Sequence, residues 1–295
     1  MNKQDEITVR SLLREKVGII ETDHVEFQRL GGLTNRNYKV ETNSGAFVFR
    51  LPGEGTEEMI NRRDEYLCTK LTNDIGIDSE LIFFDLSNGI KIARFIEDAE
   101  TMNSEAVRNL QNMEAIAGIF KTLHTSGGQV PVEFNVFEKV EEYENLLKKT
   151  KGEYFWEDYE DIRSMVYGLK GEVLEMGIQN TICHNDPLCE NFIQGKDRMY
   201  LVDWEYAGMN DPMWDIADFF IEAGFSKEEE ELFSNFYFDV KPDEALLRRI
   251  LMNKVFLDFL WSLWGKQRYS CGEDLLEYAN ERYERAKLNL HLLAN

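Results

Sequence analysis

Apolar and polar positions alternate along much of the first third of the chain. After a short helical opening, "HVEFQRL", "NYKVET" and "AFVFRLP" alternate or are rich in β-formers, and Asn43 to Gly45 separate the last two. Such runs predict strands, the last two joined as a hairpin. A helix is expected through "EEMINRRDEYLCTKLTND", then two more strands, "ELIFFDL" and "IKIARFI", around the turn "SNG". After Phe95-Ile96 the period changes. "SEAVRNLQNMEAIAGIFKTLHTSG" has helical periodicity, a Ser cap with a Glu near its start, and glycine at its end. Helical patterns continue through Gly177. A β-rich stretch is expected from Ile182 to Tyr206, and helices resume with "DPMWDIADFFIEAGF" and persist to the C-terminus. The pattern predicts an α+β chain: a sheet-rich N-terminal lobe, 1–95, and a mainly helical C-terminal lobe, 96–295. They would meet on a short hinge near Arg94 to Asp98, with a cleft between them.

The 295 residues include 43% hydrophobic and 12% aromatic residues, enough for a substantial core and against disorder. The net charge of -22 would repel nucleic acid and anionic membranes, so neither is an expected partner; a cationic partner suits it better, although solubility alone also explains it. Cys68, Cys183, Cys189 and Cys271 are scattered with no C-x-x-C pair, as in a reduced, cytoplasmic protein. The N-terminus shows no apolar signal-peptide core. "ILMNKVFLDFLWSLWG" is too short and too polar for a membrane span and reads as a buried helix.

Candidate chemistry concentrates in "TICHNDPLCENFI", Thr181 to Ile193. Zinc would want Cys and His at ligand spacing, but Cys183 and His184 are adjacent and Cys189 has no partner. The two cysteines suit packing beside the apolar flanks better than nucleophilic chemistry. The carboxylates and amide are more informative. Four residues separate Asp186 from Asn191, and Asp203 follows twelve positions later, at the end of the strand pattern "MYLV". Two Asp and an Asn on neighbouring loops suit Mg²⁺, a hard cation that also keeps phosphate and water ligands. H-x-D-x-x-x-x-N followed by a strand-end Asp is also the protein-kinase arrangement of base and metal ligands. A polar loop with capping Asn and Asp is the plainer alternative. His184 reads as a brace for the loop.

"CHNDPLCENFI" with "LVDWEYAG" resembles the catalytic and metal-binding segments of the choline kinase branch of the aminoglycoside-phosphotransferase-like kinases, and most of all its bacterial LicA-type members. The resemblance runs from about Leu30 to Tyr283. It implies a bilobal protein-kinase-like fold, Asp186 as catalytic base, and Mg²⁺ on Asn191 and Asp203. Glu205 would join the metal shell, or form a salt bridge. "LGGLTNRNYKV" resembles the family's phosphate-covering loop, which brings Gly32, Thr34 and Asn35 to ATP, although Gly31-Gly32 also suits an ordinary hairpin turn. Arg50 in "FVFRLPG" stands where related kinases place a Lys, and would contact the nucleotide phosphates. Glu65 would be its ion-pair partner, with Asp64 adjacent and Glu58 nearby, unless Glu65 belongs to a solvated helix face. The hinge "ARFIED" would receive the adenine. Asp215 would brace the catalytic loop, and Asp211 would cap the helix that begins at Pro212.

Aromatic faces with a nearby carboxylate recognise quaternary ammonium groups. Trp261 and Trp264 share one face of the expected helix "FLDFLWSLWGKQ", a spacing that also suits plain core packing. The resemblance assigns Trp261, Trp264, Tyr278 and Glu222 to a choline pocket, with Tyr283 as the other tyrosine in reach. The implied reaction transfers the γ-phosphoryl group of ATP to the hydroxyl of choline, by a monomer or homodimer. Ethanolamine, thiamine or an aminoglycoside are alternative acceptors. A non-catalytic nucleotide-binding pseudokinase is a second class, which the intact Asp186, Asn191 and Asp203 set disfavours. A protein kinase is a third, disfavoured by Trp204-Glu205 in place of Phe-Gly.

Overall fold

The computed structural model describes residues 2–19, 24–31, 35–53, 60–150 and 155–294. Contacts group the chain into two compact units: residues 1–131 with 190–207, and residues 132–189 with 208–295. The five-stranded sheet ends at Arg94, and the first unit continues through Pro131.

In the first unit, α1 (Lys3–Leu12) runs into a tight turn, Leu13–Val17. Then come β1 (Val25–Arg29), β2 (Arg36–Thr42), β3 (Gly45–Leu51), α2 (Arg62–Asp74), β4 (Leu81–Phe84) and β5 (Lys91–Arg94). These strands form one antiparallel sheet in the order β1-β2-β3-β5-β4. The hairpin turns on Asn43-Ser44, with Thr42 opposite Gly45, and Gly45 takes the positive φ of 120° that its tight exit needs. Tyr38, Val40, Phe47, Phe49, Leu51 and Ile92 bury one face of the sheet against Val9 and Leu13. Alternation then sends Arg50 to the opposite face from Phe49 and Leu51. A helix, α3 (Leu110–Thr125), and a small antiparallel sheet complete the unit: β6 (Glu100–Thr101), with β8 (Phe192–Gln194) and β9 (Met199–Leu201). The helix starts later than its Ser cap suggested. Asn103 closes a 3₁₀ turn over Ala106–Arg108, and the side chain of Asn109 accepts the N–H of Gln111.

The second unit contains α4 (Val136–Lys149), α5 (Tyr159–Gly168), α6 (Lys170–Glu175), β7 (Thr181–Cys183), β10 (Gly208–Asn210), α7 (Pro212–Glu222), α8 (Lys227–Tyr237), α9 (Glu244–Ser270) and α10 (Leu276–Ala294). β7 and β10 pair antiparallel and present the loop that begins at His184. The apolar segment inside α9 is buried from Val255 to Leu263, as its lack of a polar stripe requires. No helix among the described residues is long and apolar enough to cross a membrane.

Candidate active site

In the first unit, the inward-facing Arg50 is 3% exposed and meets Glu65, 1% exposed, on α2. Asn61 caps α2, so Glu65 sits one turn in, on its buried face. Asp64 does not take this role, and Glu58 lies outside the described residues. The carboxylate also accepts from Arg62 Nη1 at 2.9 Å, and Arg50 Nη2 donates to the carbonyl of Gly89 at 2.9 Å. Burial alone would raise the Glu65 carboxyl, but the Arg50 guanidinium outweighs it and holds the group below the usual carboxylate range. The pair's contribution is therefore complete above the unfolded carboxylate pKa, about 4.3. It is lost only as pH falls through the depressed folded value.

The β8–β9 hairpin positions the candidate metal ligands. Asn191 immediately precedes β8, Asp203 follows β9 by one residue, and the N–H of Val202 donates to the carbonyl of Asn191 at 3.0 Å. Asp203 adopts a left-handed φ of 74°, a strained state for a non-glycine residue. Its Oδ1 is a buried atom with no hydrogen-bond partner among the described residues, and lies 3.6 Å from Arg50 Nη1. Glu205 accepts from Asn35 Nδ2 at 3.1 Å. Burial, with the Asp203 charge added, pushes the Glu205 carboxyl up to about 7. Two carboxylates and an amide, all oxygen donors with negative charge held against desolvation, fit Mg²⁺. Gly32 and Thr34 lie outside the described residues.

The second unit holds the candidate base. His184 and Asn185 donate their backbone N–H groups to the two oxygens of Asp215, each at 2.8 Å. Asn185 takes a left-handed φ of 67°. It is held there by Trp214 Nε1, which donates to its carbonyl at 3.1 Å, and by Asn210 Nδ2, which donates to its side chain at 2.9 Å. Asp186, half-buried, follows directly. His184 is fully buried. Cys183 and Cys189 are buried too, and burial pushes the Cys183 thiol up, away from nucleophilic use. Asp211 caps α7 by accepting the N–H of Met213, and is gripped from α9 by Arg249 and Asn253.

The aromatic candidates also lie in this unit. Trp261 and Trp264 meet edge-on at 6.0 Å between centroids, and Trp264 meets Tyr278 edge-on at 5.8 Å. Gly265 permits this close crossing of α9 and α10: a Cβ there would lie 3.0 Å from Tyr278 Cδ1 and 2.9 Å from Ala279 Cβ. Tyr283 is committed elsewhere, stacked on Trp156 at 3.9 Å and donating to Asp158. Glu222 accepts from Arg282, whose guanidinium lies 5.1 Å from the centre of the Tyr278 ring. The sequence reading passed over Arg282, Gly265 and Asp218. Only Asp218 left a visible sign: with Asp215 and Glu222 it forms an acidic stripe, at spacings of three and four, on an otherwise apolar helix.

A five-stranded antiparallel sheet in one unit and a mainly helical second unit are the architecture of a phosphotransferase of the protein-kinase-like class. The chain belongs to the choline/ethanolamine kinase family, whose model matches residues 27–287. It is similar to a structure of LicA in complex with AMP (34% identity, TM-score 0.83, covering 99% of this chain and 100% of that one). It is similar to choline kinase LicA from Streptococcus pneumoniae, also at 34% identity and TM-score 0.83, covering 97% and 99%. Protein LicA of Haemophilus influenzae is 28% identical over 89% of this chain and 79% of that protein.

Two outcomes are expected. Glu65→Gln, which leaves Arg50 buried without its counter-charge, should cost about 3–5 kcal/mol in urea unfolding and raise the KM for ATP; unchanged stability would contradict the pairing. Asp215→Ala, which frees the loop carrying Asp186, should lower kcat by roughly 100-fold while changing the KM for ATP little. A normal kcat would show that the loop holds its shape without that carboxylate.

Proposed function

We propose that the protein transfers the γ-phosphoryl group of ATP to the hydroxyl of choline, giving phosphocholine and ADP. The observation that carries this reading is likeness over nearly the whole chain to a LicA choline kinase at 34% identity, within a family whose model spans residues 27–287. The aromatic group with Glu222 supports a cationic acceptor.

In this reading Arg50, fixed by Glu65, holds the nucleotide phosphates. Asn191, Asp203 and Glu205 would hold Mg²⁺, which would supply charge neutralisation at those phosphates. Asp186 accepts a hydrogen bond from the choline hydroxyl and takes its proton as the oxygen bonds to the γ-phosphorus and ADP leaves. Trp261, Trp264 and Tyr278 present ring faces to the trimethylammonium group, each contact contributing roughly 0.5–2 kcal/mol. Ethanolamine is the second reading, favoured by the family's breadth.

The test is a coupled ADP-release assay with choline, ethanolamine, thiamine and kanamycin as parallel acceptors. Choline should give the highest kcat/KM, and Asp186→Asn should abolish turnover while nucleotide binding persists. A clear preference for another acceptor, or near-normal turnover by the variant, would sink the corresponding part of the reading.

A further inference from the structure

Asp215, Asp218 and Glu222 lie on one face of α7, at spacings of three and four. Their surroundings differ. Asp215 is committed to two backbone N–H groups, and Glu222 to Arg282. Asp258, fully buried on α9, is committed to Arg282 at 3.2 Å and to Arg285 at 2.6 and 2.7 Å. Asp218 is 1% exposed, and neither of its carboxylate oxygens has a hydrogen-bond partner among the described residues.

A buried carboxylate with nothing to bind is costly, and a fold that needed only packing there would be better served by an apolar side chain. The groups that act on Asp218 electrostatically are Glu222, Asp186, Arg282 and Asp215. Three are acids, and Arg282 is already shared between Glu222 and Asp258. Burial first, then the charges of Glu222 and Asp186, push the Asp218 carboxyl well above its usual range. The surroundings thus lack one positive charge. Along the helix face, Asp218 falls between the residue that braces the Asp186 loop and the residue carried over to the head-group pocket.

We propose that Asp218 is a specificity-determining residue for the acceptor: a buried counter-charge that an incoming organic ammonium meets beside Glu222, whose own charge Arg282 partly offsets. The proposal rests on the reading of this unit as the site of a cationic alcohol. An alcohol with a two-carbon tether between hydroxyl and ammonium places its charge a short way from the oxygen that faces Asp186. A carboxylate midway along α7 is positioned to select for that charge. Trp264 and Tyr278 attract the same charge through their ring faces, and Asp218 adds a full counter-charge to them.

The test compares choline with its uncharged isostere 3,3-dimethylbutan-1-ol, in the full-length protein and in Asp218→Asn and Asp218→Ser. The wild-type protein should favour choline strongly in kcat/KM. Both variants should raise the KM for choline at least about tenfold. The KM for ATP and turnover of the isostere should stay within about twofold, so that the preference narrows. The thermal midpoint of Asp218→Asn should not fall, because an unpartnered buried acid has been replaced by a neutral isostere. The proposal is overturned if the variants keep the wild-type preference, lose both acceptors equally, or unfold, or if the wild-type protein uses both equally. Absence of turnover by the wild-type protein with any cationic alcohol would instead refute the choline reading, and the role of Asp218 with it.

Discussion

The carboxylate of Asp215 accepts the N–H groups of His184 and Asn185, and the second unit is organised around that contact. A left-handed Asn185 would relax to an extended conformation if nothing held it. Two hydrogen bonds to a charged acceptor, each worth about 1.5–3 kcal/mol, are enough to hold it. Asp215 is itself fixed because α7 has a defined start, with Asp211 capping the helix at Pro212 and gripped from α9 by Arg249 and Asn253. A single helix thereby sets the position of the candidate base, of Asp218 and of Glu222.

The first unit uses the same physics with charges of the opposite arrangement. A strand's alternation turns one arginine away from the apolar face, and a helix cap phases one glutamate to meet it. Desolvation makes such a pair costly to break and directional when kept. In the proposed reading its remaining hydrogen-bonding capacity would serve the nucleotide phosphates. Asp203 and Glu205 lie beside it with too little positive charge, a lack that the proposed divalent cation would make good.

The strands of the first unit were legible because half-buried strands carry period two, and the hairpin because Asn-Ser-Gly permits only a tight turn. The strand that ends just before Asp203 was legible because "MYLV" is a run of strand-forming residues. What escaped depends on partners distant in sequence. Arg282 reaches Glu222 across sixty residues, and no local pattern announces it. That Tyr283 stacks on Trp156, far away in sequence, has no local sign either. The late start of α3 turned on competition between Asn103 and Asn109 for the cap, where Ser104 looked sufficient. Asp218 was visible as a letter, but that its carboxylate has no hydrogen-bond partner among the described residues is a property of the tertiary structure.

The central claim is phosphoryl transfer to choline, and ³¹P NMR of the protein with Mg·ATP and excess choline tests it most directly. The γ-phosphate signal of ATP should give way to that of the phosphomonoester phosphocholine, with ADP formed in equal amount. Inorganic phosphate appearing in place of phosphocholine, or unchanged ATP in a protein that binds it, would contradict the account.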